Sequence, residues 1–127
     1  MLSMVGQNTL IPIYTTRGDV GAFLSAPYIF DRCGEWIGWV DQDRQVFSVH
    51  GHHIGWLTQE PRILRKISGD YLSRRTPLTI PSRITIPPTV PLAPLLAELT
   101  YGTLDVLDDA PELLPALDFG GMREDMD

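Results

Sequence analysis

The chain has 127 residues, a formal net charge of −6 at pH 7 and a pI near 4.9. A hydrophobic share of 43% with 9% aromatics belongs to a globular protein and argues against a disordered one, and the length suits a single domain. The net acidity argues against a dedicated nucleic-acid module, and no apolar run reaches membrane-spanning length.

Residues 1–10 read as an N-terminal extension. Met1-Leu2-Ser3-Met4 lacks the basic patch and long apolar stretch of a signal peptide. Cys33 is the sole cysteine, which rules out an intrachain disulfide framework and makes a reducing cytoplasm the expected compartment.

From residue 11 to residue 75 one pattern recurs: two apolar residues, a turn, then glycine. It reads Ile13-Tyr14…Gly18, Ile29-Phe30…Gly34, Val46-Phe47…Gly51 and Ile63-Leu64…Gly69, with the glycines 16, 17 and 18 residues apart. Gly34-Glu35-Trp36-Ile37-Gly38-Trp39-Val40 matches Gly51-His52-His53-Ile54-Gly55-Trp56-Leu57 position for position. Gly18-Asp19-Val20-Gly21-Ala22-Phe23 is the same unit one residue shorter, and Gly69-Asp70-Tyr71-Leu72 is a degenerate fourth.

Each unit is a β-hairpin. Thr15, Asp31 and Ser48 stand three residues before a glycine, the spacing of a type I turn with a side-chain acceptor at its first position and glycine at its fourth. Strict alternation puts Ile37 and Trp39 on one face and Trp36, Gly38 and Val40 on the other. It likewise sets Ile54 and Trp56 against His53, Gly55 and Leu57. Gly21, Gly38 and Gly55 fall mid-strand, where glycine weakens a strand unless something approaches the backbone closely. The expected neighbour is a large ring from the next unit. Gly18, Gly34, Gly51, Gly38, Gly55, Trp36, Trp39 and Trp56 are thus the structural set, with Trp39 and Trp56 also candidates for contact.

Residues 76–108 change character. Pro77, Pro81, Pro87, Pro88, Pro91 and Pro94 alternate with Leu78, Ile80, Ile84, Ile86, Val90 and Leu92, which predicts an extended strap lying on the sheet or on another subunit. Leu95-Leu96-Ala97-Glu98-Leu99 is expected to form a short helix, and the stretch from Gly102 to Leu107 a further strand or turn. Residues 109–127 read as a mobile acidic tail. Between 105 and 127, eight acids face Arg123 alone. Arg62, Arg65, Lys66, Arg74, Arg75 and Arg83 cluster against Asp70. The plain reading is a solvated basic face, and the sharper one is a contact surface that the tail screens from nucleic acid.

The residues that bear chemistry are few. His50, His52 and His53 invite a metal, yet zinc wants four ligands, and alternation sends His52 and His53 to opposite faces. Asp41 and Asp43 lack the glycine and distal glutamate of a calcium loop, which favours turn capping. Cys33 has no indicated base. Phosphate-binding loops, dinucleotide fingerprints and nucleophile elbows are missing from the sequence, so no catalytic residue and no cofactor are assigned.

The forms Ile29-Phe30-Asp31…Gly34…Ile37-Gly38-Trp39 and Gly51-His52-His53-Ile54-Gly55-Trp56-Leu57, followed by the proline-rich segment and Leu95-Leu96-Ala97-Glu98-Leu99-Thr100-Tyr101-Gly102, resemble the bacterial family called the 4-fold β-flower proteins over about residues 10–108. The resemblance implies an all-β fold of four tandem β-hairpin repeats about a pseudo-fourfold axis, and it carries no catalytic signature. A PRC-type or SH3-like small barrel is the runner-up fold. The combined expectation is a non-catalytic binding or assembly module that self-associates as a homo-oligomer or docks a protein partner. A metal-dependent protein using His50, His52 and His53 is the alternative, and a weak nucleic-acid binder using residues 62–83 is a further one.

Overall fold

The computed structural model describes residues 10–116. They form one antiparallel sheet of eight strands in chain order: β1 (Ile11–Tyr14), β2 (Val20–Ser25), β3 (Tyr28–Phe30), β4 (Trp36–Val40), β5 (Gln45–Ser48), β6 (His53–Leu57), β7 (Ile63–Lys66) and β8 (Thr103–Asp105). A single helical turn, α1 (Val106–Asp109), and a 3-10 turn, Pro111–Leu113, follow. The sheet curls as a half-barrel, and the end of β1 with its turn reaches residues of the far end. The Tyr14 N–H donates to the Pro61 carbonyl at 3.0 Å, and the Thr16 N–H donates to the Asp105 carboxylate at 2.6 Å.

The turns follow the local chemistry. Gly18, Gly34 and Gly51 adopt φ of +96°, +86° and +88°, and each N–H closes the turn onto the carbonyl three residues back. The Asp31 carboxylate accepts the N–H groups of Cys33 and Glu35, and the Ser48 hydroxyl accepts those of His50 and His52. Asp41 does the same for Asp43 and Gln45, so it caps its turn as expected.

The face assignment needs correction. The β1–β2, β3–β4 and β5–β6 pairings each carry a bulge beside the apolar pair. In β3–β4, Phe30 opposes Trp36 while Ile29 opposes Gly38, leaving Ile37 as the extra residue. A bulge breaks the period of two. Ile37 therefore turns to the inner core with Ile13, Ile29, Val46, Ile54 and Ile63, whereas Trp36 and Trp39 share a second cluster with Phe30, Phe47 and Val49. The same slip puts Ile54 inside and sets His53 and Trp56 opposite Phe47 and Gln45.

What lies over the mid-strand glycines is also different. A Cβ on Gly38 would overlap the Phe47 carbonyl oxygen, and one on Gly55 the Leu64 carbonyl oxygen. The neighbour is the backbone of the next strand, not a ring. At Gly21 it is the side chains of Leu107 and Thr15.

The segment read in the sequence as a degenerate fourth unit does not close on itself. β7 pairs with β8 (Leu64 with Asp105, Lys66 with Thr103), so residues 67–102 are inserted between the strands of that hairpin. Gly102 takes φ +82°, as the three turn glycines do, and accepts the Ile67 N–H at 2.7 Å. The stretch from Gly102 supplies the anticipated further strand. Residues 95–99 form no helix, and the helical turn falls at Val106–Asp109. Leu95 is fully exposed, so a helix there has no apolar face to bury. The start of the expected tail joins the core: Leu114 is buried beside Val106, with Leu113 and Ala116 packed against that cluster. Residues 1–9 and 117–127, which include the rest of the tail, lie outside the described residues.

Candidate functional site

The groups singled out in the sequence gather in two places. The first is a row of neighbouring rings on the outer face of β4–β6. Trp39 stacks on Phe47 with centroids 5.4 Å apart, Phe47 meets His53 at 5.3 Å, and His53 meets Tyr71 at 4.9 Å. The Arg65 guanidinium caps the row 4.0 Å from the Tyr71 centroid, and Arg75 lies 4.8 Å from that of Phe47. Trp36 donates its indole N–H to the Gly38 carbonyl at 2.7 Å and meets Tyr28 edge-on. Trp36 and Trp39 are buried, and only Trp56 is half-exposed. Trp39 is therefore a core residue and is removed from the contact set.

His53 sits between Phe47 and Tyr71 with Nε2 2.8 Å from the Gln45 side-chain oxygen. Burial holds its pKa below the usual histidine value. Arg65 and Arg75 add to the effect, and a hydrogen bond with the Gly55 backbone and the charge of Asp41 oppose it. The rings of His50 and His52 stand 6.5 Å apart with centroids out of stacking, and His53 is tied into the ring row. Among the described residues no three His, Cys, Asp or Glu side chains are placed to hold a metal ion. The histidine cluster thus does not converge.

The second place is the seam where the turn after β1 meets the residues before β7 and the end of β8. Asp105, with no exposed surface, accepts both the N–H and the hydroxyl of Thr16 at 2.6 and 2.7 Å. Thr16 in turn accepts from Arg62 at 3.1 Å, and Arg62 reaches Glu60 at 3.1 Å. Arg62 is 3% exposed, so it is a seam residue and not part of a basic contact surface. The Asp105 Oδ1 and Arg62 Nε atoms are buried without partners. Burial raises the Asp105 pKa, and the Thr16 hydrogen bonds partly oppose it.

The rest of the basic stretch is dispersed. Arg75 pairs with Asp41 at 3.3 Å, and Arg83 donates to the Cys33 carbonyl and lies 3.5 Å from Glu35. Lys66 and Arg74 are exposed. Among the described residues the one ion pair to the acidic end is Arg17–Asp108, outside the basic stretch. Tyr71 and Asp105 were missed in the sequence. In the sequence Tyr71 reads as part of a degenerate repeat, and Asp105 as one more acid of the acidic end. Its position three residues after Gly102, within an apolar stretch, was the available signal.

Among the described residues no helix is long and apolar enough to cross a membrane. No curated protein and no solved structure matches the chain. The family model for the 4-fold beta flower protein matches residues 11–97, a span that takes in β1 to β7 and most of the inserted segment. With the antiparallel meander and its turn glycines, that match places the chain in the 4-fold beta flower family.

Proposed function

We propose that the protein is a non-catalytic assembly module that self-associates as a homo-oligomer through its inserted proline-rich segment. The observation that carries this reading is the exposure of large apolar side chains there: Leu72 at 84%, Leu92 at 95%, Leu95 and Tyr101 completely. Leu92 and Leu95 stand together beside one groove, and apolar surface that is contiguous rather than singly scattered marks a site of association. A second copy presenting the same surface is the economical cover, since homo-oligomers are closed by symmetric contacts.

The finer architecture belongs to the same reading. Four hairpins, β1–β2, β3–β4, β5–β6 and the split β7–β8, stand about a pseudo-fourfold axis, and the contact of Tyr14 with Pro61 and of Thr16 with Asp105 closes the ring. The proline-rich segment is a strap around that ring, touching in turn His53, Gly51, Tyr28, Gly34 and Tyr14. The exposed free thiol of Cys33 fits a reducing compartment such as the cytoplasm.

Light scattering coupled to size exclusion tests the reading. A dimer or higher oligomer is expected, falling to monomer in the variant Leu92→Asp/Leu95→Asp. A monomeric wild type at high micromolar concentration would overturn self-association.

A further inference from the structure

Two of the turn glycines grip the inserted segment in the same way, and the third stands open. At Gly51, the Arg75 N–H donates to the glycine carbonyl at 2.8 Å, and the Arg75 carbonyl occupies the space where a Gly51 Cβ would stand. At Gly34, Ile84 repeats both contacts, its N–H donating at 3.1 Å. Each gripping residue also covers aromatic surface. Arg75 lies over Phe47, and Ile84 packs on the cluster that holds Phe30.

Arg75 and Ile84 are nine residues apart. Nine further along is Ala93, and it faces Gly18 across an open groove of about 430 Å³ bounded by Thr16, Arg17, Gly18 and residues 92–96. Nothing lies within 4 Å of the position a Gly18 Cβ would take. Nine further again is Gly102, whose carbonyl already accepts from Ile67. The first hairpin's counterpart of Phe30 and Phe47 is Tyr14, and its hydroxyl donates to the Pro91 carbonyl at 3.1 Å. The segment is thus pinned at 91 and at 102, with the Gly18 corner between. Pro91 and Pro94 have no N–H, so Leu92 and Ala93 alone can donate between them, and Ala93 is the one in register.

We infer that the Gly18 corner is a binding site for an extended polypeptide strand and that its occupant is residues 92–94 of this chain. The segment closes as a latch: the Ala93 N–H donates to the Gly18 carbonyl, and the Ala93 carbonyl takes the free space above the glycine Cα. Closing completes the series of equal steps already made at Gly51 and Gly34. The glycine matters twice, for its φ of +96° and for the room a side chain would remove. The inference goes beyond self-association and does not depend on it, because every contact it invokes is within one chain.

Amide hydrogen exchange on the full chain, read by NMR at two protein concentrations, tests it. The Ala93 amide is expected to be slowed to within about tenfold of Ile84 and Arg75, with Leu95 exchanging freely and no dependence on concentration. Ala93→Pro removes the donor from an exposed segment. It should speed proteolytic cleavage at Leu95 several-fold while leaving protection at Arg75 and Ile84 unchanged. An Ala93 amide as fast as that of Leu95 in the wild type overturns the latch. So does protection that appears only at the higher concentration, which would assign the occupant to a second copy, and so does unchanged cleavage in Ala93→Pro.

Discussion

Replacing Gly55 by alanine separates two explanations of the mid-strand glycines. Its backbone needs no left-handed conformation, since its φ lies outside that region. The substitution therefore gains about 0.4–1 kcal/mol by restricting the unfolded chain. Against this stands a collision of the new methyl with the Leu64 carbonyl, a backbone atom held in the β6–β7 pairing. Overpacking costs about 1–3 kcal/mol, and the upper end applies because no rotamer change can relieve it. The net loss is about 2 kcal/mol, or about 6–10 °C in melting temperature for a domain of this size. Gly21→Ala is the control. The neighbours there are Leu107 and Thr15 side-chain carbons at 3.0–3.3 Å, which can yield, so its change should stay below about 1 kcal/mol. Thermal melts followed by circular dichroism, with urea unfolding for the free energies, read both. A Gly55→Ala protein that melts at or above the wild type would refute the carbonyl argument, and so would an equal loss at Gly21.

Three further outcomes are expected. Asp105→Ala should cost about 1–3 kcal/mol in urea unfolding because it leaves the half-buried Thr16 N–H and hydroxyl without their acceptor. Asp105→Asn keeps an acceptor and should cost clearly less, so equal losses would argue against the hydrogen-bond account. Trp39→Ala should cost about 3–5 kcal/mol, and Trp56→Ala markedly less, since Trp39 is buried in the ring row and Trp56 is half-exposed. The reverse order in thermal melts would count against the observed faces. His53 has a folded pKa below the ordinary histidine value, so the unfolded chain takes up the proton first. Stability is retained at higher pH and falls as pH drops through the ordinary histidine range. Asp105 works in the opposite sense, its raised pKa giving stability that is lost as pH rises above the carboxylate range. His53→Gln isolates the histidine part: urea midpoints between about pH 8 and 5.5 should slope less in the variant, and an unchanged slope would exclude His53 as the source.

What was legible in the sequence is what short-range physics decides. A turn with Asp31 or Ser48 at its head and glycine at its fourth position is closed by groups within five residues, so the composition of the turn suffices to name it. The bulges are decided across strands. Ile37 is inside because Ile29 and Phe30 sit opposite Gly38 and Trp36, and a one-residue slip reverses every face assigned beyond it. Arg62 shows the same limit. Its local company of Arg65 and Lys66 suggests solvent, while its distant partner Thr16 reaches it only once the turn after β1 folds against the residues that lead into β7.

The split hairpin is the sharpest case, and it explains the degenerate copy. Gly69 keeps the spacing of the repeat and closes a turn onto Lys66, yet it lacks the positive φ that Gly18, Gly34 and Gly51 share. Gly102 has that φ and receives Ile67, so the role has passed from one glycine to another along an insertion. The residues after Gly69 were then released from strand duty. Tyr71 serves instead as a ring between His53 and Arg65, its hydroxyl accepting the Lys66 N–H at 2.8 Å. Loss of the repeat's second glycine and tryptophan in this copy thus follows from topology. The end of β8 and the first residue of α1 carry Leu104-Asp105-Val106 there, and that edge needs a carboxylate for Thr16 and a buried valine more than another indole.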